Sequence, residues 1–526
     1  MAKTITDKKI FTIILFIFSF ILFSANNHNV SIYILDEAKN AGCAREMRET
    51  GQWNYPTFNY ELRVDKPPLH YLFMSVSYWF FGVNPWAARF FSAIFGALTI
   101  LLVFSFTTKF LNKNAAFWAS AILLASIHFQ LQHHLAVPDP YLIFFVTWGF
   151  MLFYSVIINN RLSDKILMYV AFSLGFLAKG PIAILLPGLI FMIYLAVIKE
   201  LKKETILKFK PLMGIIITLL ITVPWFLSVH FATDGEWTKG FFFDHNLNRF
   251  ANKMEGHGGI FLLTYLYVFI GMLPFSFYFI ESLRHFRKNT ENKVLLFAII
   301  TALVIIVFFS FSSTKLPNYT VISYPFLAIF IANYLSSKDV NKKSELRNVS
   351  ILLALIILAF PSAYIAMGYD EILKPLRYLL LWILVFPAGI VLALYYIKSD
   401  KVINGRKTLV ATSILTGLVF FYMVYPVIDK ENPVVLSKEI LENREVSYLH
   451  RFNPAFSFAL KKHIPGIEEK DIPGFFTENP DGVIISTEKN IENIEFPEGY
   501  GIIFKRKDVF EIPVTVLVGP IGKKAP

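Results

Sequence analysis

The chain has 526 residues, of which 55% are hydrophobic, 17% aromatic and only 17% charged, and its mean hydropathy is +0.53. Soluble domains carry about 25% charged residues, so this composition excludes an ordinary soluble protein and indicates a polytopic membrane protein. A net charge of +12 would suggest a nucleic-acid partner for a soluble chain, but here the basic residues fall in alternate loops between apolar runs, which argues against nucleic acid.

Apolar runs long enough to cross a bilayer recur along most of the chain, since a span needs about 20 residues or somewhat fewer. Thirteen runs qualify: 10–25, 87–108, 115–135, 139–158, 166–179, 181–198, 211–231, 260–283, 293–312, 318–336, 349–368, 375–397 and 408–428. No small-residue cleavage site follows the first run, so we expect a retained span. Because every second loop is basic, the positive-inside rule predicts a cytoplasmic N-terminus and, with thirteen spans, a C-terminus on the outer face.

Two of the predicted outer loops are long and polar, whereas the basic loops on the other side are short. These outer loops are residues 26–86 and 231–259. Long loops carry function more often than not, so we expect catalytic or binding residues in them.

The first outer loop contains ILDEAKNAGCAREMRETG, which has the pattern of an amphipathic helix ending near Gly51. We expect this helix to lie flat in the membrane interface, with Asp36 at its amino-terminal end. Two interpretations of its acids stay open here. Asp36 and Glu37 are either a cap and a first-turn acid favoured by the helix dipole, or groups that act in catalysis. The lone Cys43 supports no internal disulfide.

The same loop continues with ELRVDKPPLHYLF, in which Pro67 and Pro68 mark the start of a second interfacial helix. Lys66 precedes a proline and is therefore biased to extended backbone. The dipeptide Asp65–Lys66 is either an exposed ion pair of small worth, or Lys66 is the counter-charge for a lipid phosphate.

The second outer loop supplies FFFDHNLNRFANKMEGHGG, which contains His245, Arg249 and His257. If the segment is helical, His245 and Arg249 share a face. His245 together with an acid from the first loop is a possible divalent metal site, and Arg249 suits a phosphate. A solvated interfacial helix with ordinary surface histidines explains the spacing equally well.

Three more charged residues lie at the predicted outer ends of spans: Asp139 in VPDPYL, Lys179 in FLAKGPIA and Lys315 in SSTKLPNY. Each is either a snorkelling anchor or functional, because lysines are rare on the outer face and charges at membrane depth are costly. Acids and cations gathered on one membrane face indicate chemistry on an anionic lipid. The acids suit a base or the stabilisation of developing positive charge, and the cations suit a phosphate leaving group.

After residue 429 the sequence becomes far more charged. Helical patterns (VVLSKEILEN, PAFSFALKKH) alternate with strand-like runs (VSYLHRF, GVIISTE, YGIIFKR, VTVLVG). We predict a small external α/β domain there, with no catalytic motif of its own. The chain shows no internal repeat, which weakens a transporter built from paired halves.

These motifs together resemble the GT-C superfamily of polyprenyl-phosphate-sugar glycosyltransferases, and more narrowly relatives of the aminoarabinose lipid A transferases and protein O-mannosyltransferases. The stretches that carry the resemblance are LDEAKNAGCAREMRETGQWNYPTFNYELRVDKPPLHY, PDPYLIFF, FLAKGPIA, FFFDHNLNRFANKMEGHGG and SSTKLPNYTVISYPFLAI. The resemblance implies a transmembrane glycosyltransferase domain at 1–428, with about 13 helices and interfacial helices in its outer loops. It also implies a periplasmic α/β domain at 429–526 and a bacterial inner-membrane location.

The resemblance also implies roles for individual residues. Asp36 matches the essential acid of the first outer loop, and Asp139 matches a second family acid. Lys66 and Arg249 match residues that bind the carrier phosphate, and Lys179 is a further candidate for that role. Asp65 stands where relatives usually carry glutamate, which with His245 can hold zinc; the substitution shortens the reach by one methylene. Secondary candidates are Glu37, Arg45, His257 and Lys315.

The implied activity is an inverting transfer of a sugar from an undecaprenyl-phosphate-linked donor to an outer-leaflet acceptor, with membrane lipids around the site. Lipid A receiving aminoarabinose or a related amino sugar is the first expectation. Alternatives are a protein O-mannosyltransferase-like or polysaccharide-modifying transferase and, outside enzymes, a transporter of lipid-linked sugars or polysaccharide. Transporters place ionisable groups near the bilayer midplane, whereas here the charges cluster at one surface, which favours the enzyme.

Overall fold

Helices follow one another through the first four fifths of the chain. The computed structural model describes residues 2–248, 258–288, 290–337 and 341–522, with side chains left undescribed at 2–8, 246 and 247. The α-helices of this part are α1 (Ala2–Phe23), α2 (Leu35–Thr50), α3 (Leu69–Phe81), α4 (Pro85–Phe110), α5 (Lys113–Ala125), α6 (Ile127–His133), α7 (Asp139–Asn159), α8 (Leu162–Lys179), α9 (Ile182–Val197), α10 (Lys203–Lys208), α11 (Pro211–Ala232), α12 (Glu236–Lys239), α13 (Leu263–Gly271), α14 (Phe279–Arg287), α15 (Lys293–Phe311), α16 (Tyr324–Ser336), α17 (Lys342–Met367), α18 (Leu380–Ile383), α19 (Val385–Lys398), α20 (Val402–Val419) and α21 (Tyr425–Asp429).

Short helices of other types interrupt this series. They are the π-helices Gly240–Asn248 and Phe420–Val424 and the 3-10 helices Phe275–Tyr278, Pro317–Ser323, Lys374–Leu379 and Glu469–Asp471. A small antiparallel hairpin, β1 (Thr57–Phe58) and β2 (Glu61–Leu62), lies between α2 and α3.

Eight helical segments of the described residues are long and apolar enough to cross a membrane, or up to ten if each of two bent helix pairs is one span. The bent pairs are α5 with α6, at 69°, and α13 with the helices of Phe275–Arg287, at 107°. Two shorter apolar helices occupy Lys9–Phe23 and Ile182–Val197. The chain is thus a polytopic membrane protein. Each apolar run predicted from the sequence coincides with one helix or with two or three successive helices, and the count of thirteen crossings stays a prediction.

The C-terminal segment folds into a five-stranded mixed sheet with helices packed against it. Its strands are β3 (Val446–Leu449), β4 (Gly466–Ile467), β5 (Val483–Thr487), β6 (Tyr500–Lys507) and β7 (Val514–Pro520). The order is β4-β3-β5-β7-β6, with β3 parallel to β4 and β5, and β7 antiparallel to β5 and β6. Its α-helices are α22 (Pro433–Leu441), α23 (Ala455–Leu460), α24 (Ile472–Glu478) and α25 (Glu488–Ile491). Assignment of this segment as a separate outer domain stays a prediction.

Helix α2 is buried, contrary to the expectation of a helix lying flat in the membrane interface. Its residues 37, 38 and 40–47 are all buried, including Glu37, Arg45 and Glu46. The helix is enclosed by α3, the β1–β2 hairpin and α23. Its charged side chains have internal partners, which a sequence pattern does not reveal, so a core helix has the composition of a surface one.

Candidate active site

One stripe of α2 faces the segment between β2 and α3. Asn40 and Cys43 lie on this stripe, one and two turns after Asp36, at the spacing that aligns side chains on one helix face. The Asn40 amide donates to the carbonyl of Ala136 at 3.3 Å, and its oxygen lies 3.4 Å from Nε2 of His70. Asp36 therefore heads the face of α2 that meets the loop before α7 and the start of α3.

Asp36 is an exposed residue of the first helical turn and not the cap. The cap position belongs to Ile34, whose side chain makes no capping hydrogen bond, and the helix begins at Leu35. An exposed carboxylate at a helix amino terminus is stabilised as the anion by the helix dipole. An exposed carboxylate therefore lies at the amino-terminal end of this face of α2.

Glu37, by contrast, is fully buried, and both of its carboxylate oxygens have hydrogen-bond partners. Its two oxygens each lie 2.8 Å from the guanidinium of Arg89, and the backbone N–H of Ala136 donates to Oε1 at 2.8 Å. Arg89 also donates to the carbonyls of Asn27, Val30 and Ser31. Glu37 thus fastens α2 to α4 and to the loop that leads to Asp139, and this secondary candidate has a structural role.

Asp65 pairs with Arg63 and not with the adjacent Lys66. The guanidinium of Arg63 holds both carboxylate oxygens, with Nε 2.5 Å from Oδ1 and Nη2 2.9 Å from Oδ2. Burial alone would raise the pKa of Asp65, but the positive charges of Arg63, Lys66 and His245 outweigh burial and hold that pKa well below its usual range. The prediction of an exposed Asp65–Lys66 ion pair is therefore wrong, because the pair that forms is Arg63–Asp65 and it is largely buried.

Lys66 is buried, with 8% of its surface exposed, and among the described residues its ammonium has no hydrogen-bond or ion-pair partner. The two prolines that follow it lie immediately before α3, which begins at Leu69, and they keep Lys66 out of the helix. An ammonium at the end of a largely buried side chain, with no ion-pair partner among the described residues, is a place where an anion from outside the chain can bind.

Asp139 and Lys179 form one ion pair at the same end of the bundle. Nζ of Lys179 lies 2.5 Å from Oδ1 of Asp139, and Asn318 donates to the same oxygen at 3.1 Å. The lysine ammonium also lies 5.2 Å from the ring centre of Tyr319. A residue predicted as a catalytic acid is thus joined to one predicted to bind phosphate.

The chain path explains this pairing. Helix α7 begins at Asp139, with Pro140 in its first turn, and α8 ends at Lys179. Between them the chain turns at Asn160, which has a left-handed φ of 51°. A turn this short makes the two helices antiparallel neighbours, so the start of α7 and the end of α8 meet.

Lys315 lies on the connection between α15 and the 3-10 helix Pro317–Ser323. Its ammonium donates to the carbonyls of Ser310 and Ser312, at 2.8 and 2.7 Å, and only 7% of its surface is exposed. Burial lowers the pKa of this lysine. Lys315 therefore stabilises this connection through hydrogen bonds to its backbone and is not a snorkelling anchor.

The second outer loop packs on the first at the Arg63–Asp65 pair. The indole N–H of Trp237 donates to the carbonyl of Arg63 at 2.9 Å. Gly240 lies so close to Val64 that a Cβ there would be 2.6 Å from a valine methyl. His245, on the π-helix, is close enough for its charge to lower the pKa of Asp65. Arg249 and His257 lie outside the described residues.

Comparison with known proteins gives consistent matches. Residues 65–227 match the family model described as dolichyl-phosphate-mannose-protein mannosyltransferase. An uncharacterized protein of Aquifex aeolicus (strain VF5) is 30% identical over 320 residues, which are 61% of this chain and 72% of that protein. The undecaprenyl phosphate-alpha-4-amino-4-deoxy-L-arabinose arabinosyl transferase of Shewanella sediminis (strain HAW-EB3) is 25% identical over 75% of this chain and 72% of its own length.

A solved structure extends the match to the fold. ArnT from Cupriavidus metallidurans in the apo state superimposes with a TM-score of 0.79 at 18% identity, covering 97% of this chain and 98% of that one. The chain belongs to the GT-C superfamily of polyprenyl-phosphate-sugar glycosyltransferases. It is therefore an enzyme of the class that uses a polyprenyl-phosphate sugar donor.

In this GT-C glycosyltransferase, Asp65 and His245 do not fit the predicted zinc site. Both oxygens of Asp65 are held by Arg63. Among the residues that the structure describes, no group of three histidine, cysteine, aspartate or glutamate side chains is placed to hold a metal ion. A zinc site needs three or four such donors, so Asp65 and His245 alone do not make one.

Arg45 of the GT-C enzyme contacts the C-terminal segment and not the site. Its Nη1 donates to the carbonyl of Ser457 at 2.7 Å, and its Nη2 lies 3.3 Å from Glu46. Arg45 and Glu46 are fully buried. This secondary candidate fastens α2 to α23.

Three residues of the site were missed by sequence reasoning. Arg63 carried a signal, because it lies two residues before Asp65 in an extended segment, which puts both side chains on one side. His70 was missed although it is fully buried beside Lys66, and burial together with the charges of Arg63 and Lys66 lowers its pKa. Nothing in the spacing signalled Asn318, whose partner Asp139 lies 179 residues away.

Proposed function

We propose that this glycosyltransferase moves a sugar from undecaprenyl phosphate to lipid A on the periplasmic face of a bacterial inner membrane. The sugar we favour is aminoarabinose or a related amino sugar, in line with the names of several relatives. One solved neighbour is ArnT from Cupriavidus metallidurans bound to undecaprenyl phosphate, with a TM-score of 0.77 at 19% identity. The alternation of basic loops supports a cytoplasmic N-terminus, with the site and the C-terminal segment on the outer side.

The observation that carries the proposal is Lys66, a largely buried residue whose ammonium has no hydrogen-bond or ion-pair partner among the described residues. Both carboxylate oxygens of its neighbour Asp65 are held by Arg63, so Asp65 attracts Lys66 but forms no ion pair with it. A carrier-lipid phosphate supplies the missing negative charge. In a site with little water, that interaction strengthens as the phosphate gains charge during cleavage, which is the condition for catalysis.

In the proposed reaction the bond between the anomeric carbon and the phosphate oxygen breaks while the acceptor oxygen attacks from the opposite face. The transition state resembles an oxocarbenium ion, and undecaprenyl phosphate leaves with the bonding electrons. Lys66 and Arg249 neutralise the leaving phosphate, and Lys179 adds positive charge at the same end of the bundle while bound to Asp139.

The role of Asp36 depends on the acceptor. When the acceptor is a hydroxyl, Asp36 takes its proton as a general base. When the acceptor is a lipid A phosphate, the nucleophile is already ionised, and Asp36 orients the substrates or stabilises positive charge on the sugar. Asp139, oriented by Lys179 and Asn318, is the second acid of the site.

A second candidate acceptor is a protein hydroxyl. The observation that favours it is the family model matched by residues 65–227, which is described by protein mannosyl transfer. The same assignment of Lys66 and Asp36 applies to it, with Asp36 as the base.

The test uses membranes containing the full chain and a radiolabelled undecaprenyl-phosphate-linked amino sugar. We expect Asp36→Asn and Lys66→Ala each to lower the transfer rate by about 100-fold or more, because each removes a charge that acts in the transition state. Matched controls are Asp471→Asn and Lys489→Ala, which remove exposed charges from the C-terminal segment and should retain the wild-type rate. Wild-type rates in both site variants would overturn the assignment.

The acceptor is decided in the same assay by where the label goes. Lipid A and a serine- and threonine-rich polypeptide are offered together, and the products are separated by solvent extraction. Label in the lipid A fraction is the expected result. Label in the polypeptide alone would replace lipid A with the second candidate.

A further inference from the structure

An apolar groove lies between α1, α5 and α20, on the outside of the helix bundle. Its volume is about 370 Å³, and its walls include Phe18 of α1, Phe117 and Trp118 of α5, and Ala411 and Leu418 of α20. One charged residue, Lys407, completes its lining. The glycosyltransferase site uses none of these residues, so the groove has no part in the activity described above.

The groove is about as long as one leaflet of a bilayer is thick. Lys407 and Leu418 are eleven positions apart on α20, which is about 16 Å at the rise of an α-helix. Half of a hydrocarbon core of about 30 Å is close to that length. A single acyl chain therefore fits along the groove from end to end.

The charged end of the groove is the end remote from the active site. Beyond Leu418 the chain continues to Asp429, whose carboxylate accepts hydrogen bonds from the backbone N–H and hydroxyl of Ser31 in the first outer loop. Lys407 lies near the other end of α20, one turn after the helix begins at Val402. The groove thus opens toward the leaflet opposite the active site.

A second lysine stands at the same end. Lys113 is the first residue of α5 and lies one turn before Phe117, at the i, i+4 spacing that puts both side chains on one face. Among the described residues, neither Lys113 nor Lys407 has a hydrogen-bond or ion-pair partner for its ammonium. No acidic residue lines the groove in the part of the chain that the structure describes. The groove therefore combines apolar walls with two lysine ammonium groups at one end.

We propose that this groove is a binding site for an anionic phospholipid of the leaflet opposite the active site. One acyl chain lies against Phe18, Trp118 and Ala411, and the headgroup phosphate is held between Lys407 and Lys113. A zwitterionic lipid offers the same chain but no net charge to the two lysines, so the site selects by headgroup.

The test is native mass spectrometry of the full-length protein released from nanodiscs that contain equal amounts of phosphatidylglycerol and phosphatidylcholine. We expect the wild type to retain phosphatidylglycerol in preference. Lys407→Gln and Lys113→Gln should each lower this preference by about fivefold, the effect of one basic side chain near an anionic lipid. Lys208→Gln, at an exposed lysine of α10, is the matched control and should leave the preference unchanged.

A second pair of variants tests whether the lipid chain occupies the apolar groove, without changing any charge. Ala411→Phe fills the groove and should abolish retention of the lipid, while Ala354→Phe places the same side chain on an exposed surface of α17 and should not. Sugar transfer by Ala411→Phe should stay at the wild-type rate, since the groove is remote from the site. Equal retention of the two phospholipids by the wild type, retention unaffected by Ala411→Phe, or a bound mass equal to undecaprenyl phosphate would each overturn the proposal.

Discussion

At the scale of single residues, the buried pair Glu37–Arg89 shows how an acid that resembles a catalytic group can be structural. The sequence left Glu37 as either a first-turn acid favoured by the helix dipole or a group that acts in catalysis, because local helix physics considers only neighbours along the chain. Arg89 did carry a signal, as an arginine inside the apolar run 87–108, where an ionisable residue is costly unless it is paired. Its partner lies 52 residues away and was not identifiable from spacing.

Removing one member of this pair should strongly destabilise the protein. Glu37→Gln leaves the fully buried Arg89 without its charge partner, and we expect a loss of about 3–5 kcal/mol in the free energy of unfolding. Reversible unfolding in mixed micelles measures it. Glu442→Gln, which breaks the exposed i, i+4 pair with Lys438, should cost less than about 1 kcal/mol. Equal costs for the two variants would contradict the structural role of Glu37.

Asp65 makes a prediction about pH. The positive charges of Arg63, Lys66 and His245 hold the pKa of Asp65 well below its unfolded value of about 3.9. The stabilisation from its ionised form is therefore complete above about pH 4 and is lost as the pH falls below that value. The stability difference between the wild type and Asp65→Asn should shrink as the pH falls from 5 to 3. A difference that does not change with pH down to 3 would contradict this account.

At the scale of elements, α2 was located correctly from the sequence and misread in its surroundings. Its end at Gly51 was predictable, because the glycine has a left-handed φ of 70° that other residues rarely adopt. Its burial was not, since the partners of Arg45 and Glu46 come from the distant Ser457 and from the turn at Asn59. A helix pattern gives its start, end and faces, but not the number of elements that cover it.

The contact of α2 with α23 gives a prediction at the same scale. Arg45→Gln removes the buried hydrogen bond to the carbonyl of Ser457, so hydrogen exchange should accelerate several-fold in Ala455–Leu460. Arg48→Gln is the matched control on the same helix, because Arg48 donates to the carbonyl of Tyr78 on α3 instead. Acceleration of exchange in Ala455–Leu460 by both variants, or by neither, would show that Arg45 does not fasten α23.

At the scale of the whole molecule, the apolar runs and the strand patterns located nearly every long element. The breaks within α5–α6 and within Leu263–Arg287 were not predicted, because a continuous apolar run gives no sign of a bend of 69° or 107°. Strand β4, only two residues long, was missed because it is too short for an alternating pattern. The order and type of the elements follow from local patterns, whereas bends and short strands depend on the packing around them.

The same limit applies to the site. The alternation of basic loops indicated that Asp36, Lys66, Asp139 and Lys179 share one membrane face. Which charges neutralise one another was not predictable, since Lys179 and Asp139 are 40 residues apart. Only the structure shows that two of the predicted groups form one pair and that Lys66 has no ion-pair partner among the described residues.

The central claim, transfer of an amino sugar to lipid A, is tested most directly by mass spectrometry of lipid A from a strain lacking the gene. The account predicts that the mass increment of the amino sugar disappears from lipid A in this strain. The wild-type chain and the Lys489→Ala control should restore the increment, and Lys66→Ala should not. A lipid A profile identical in the parent and the deletion strain, with the parent expressing the protein, would contradict the claim.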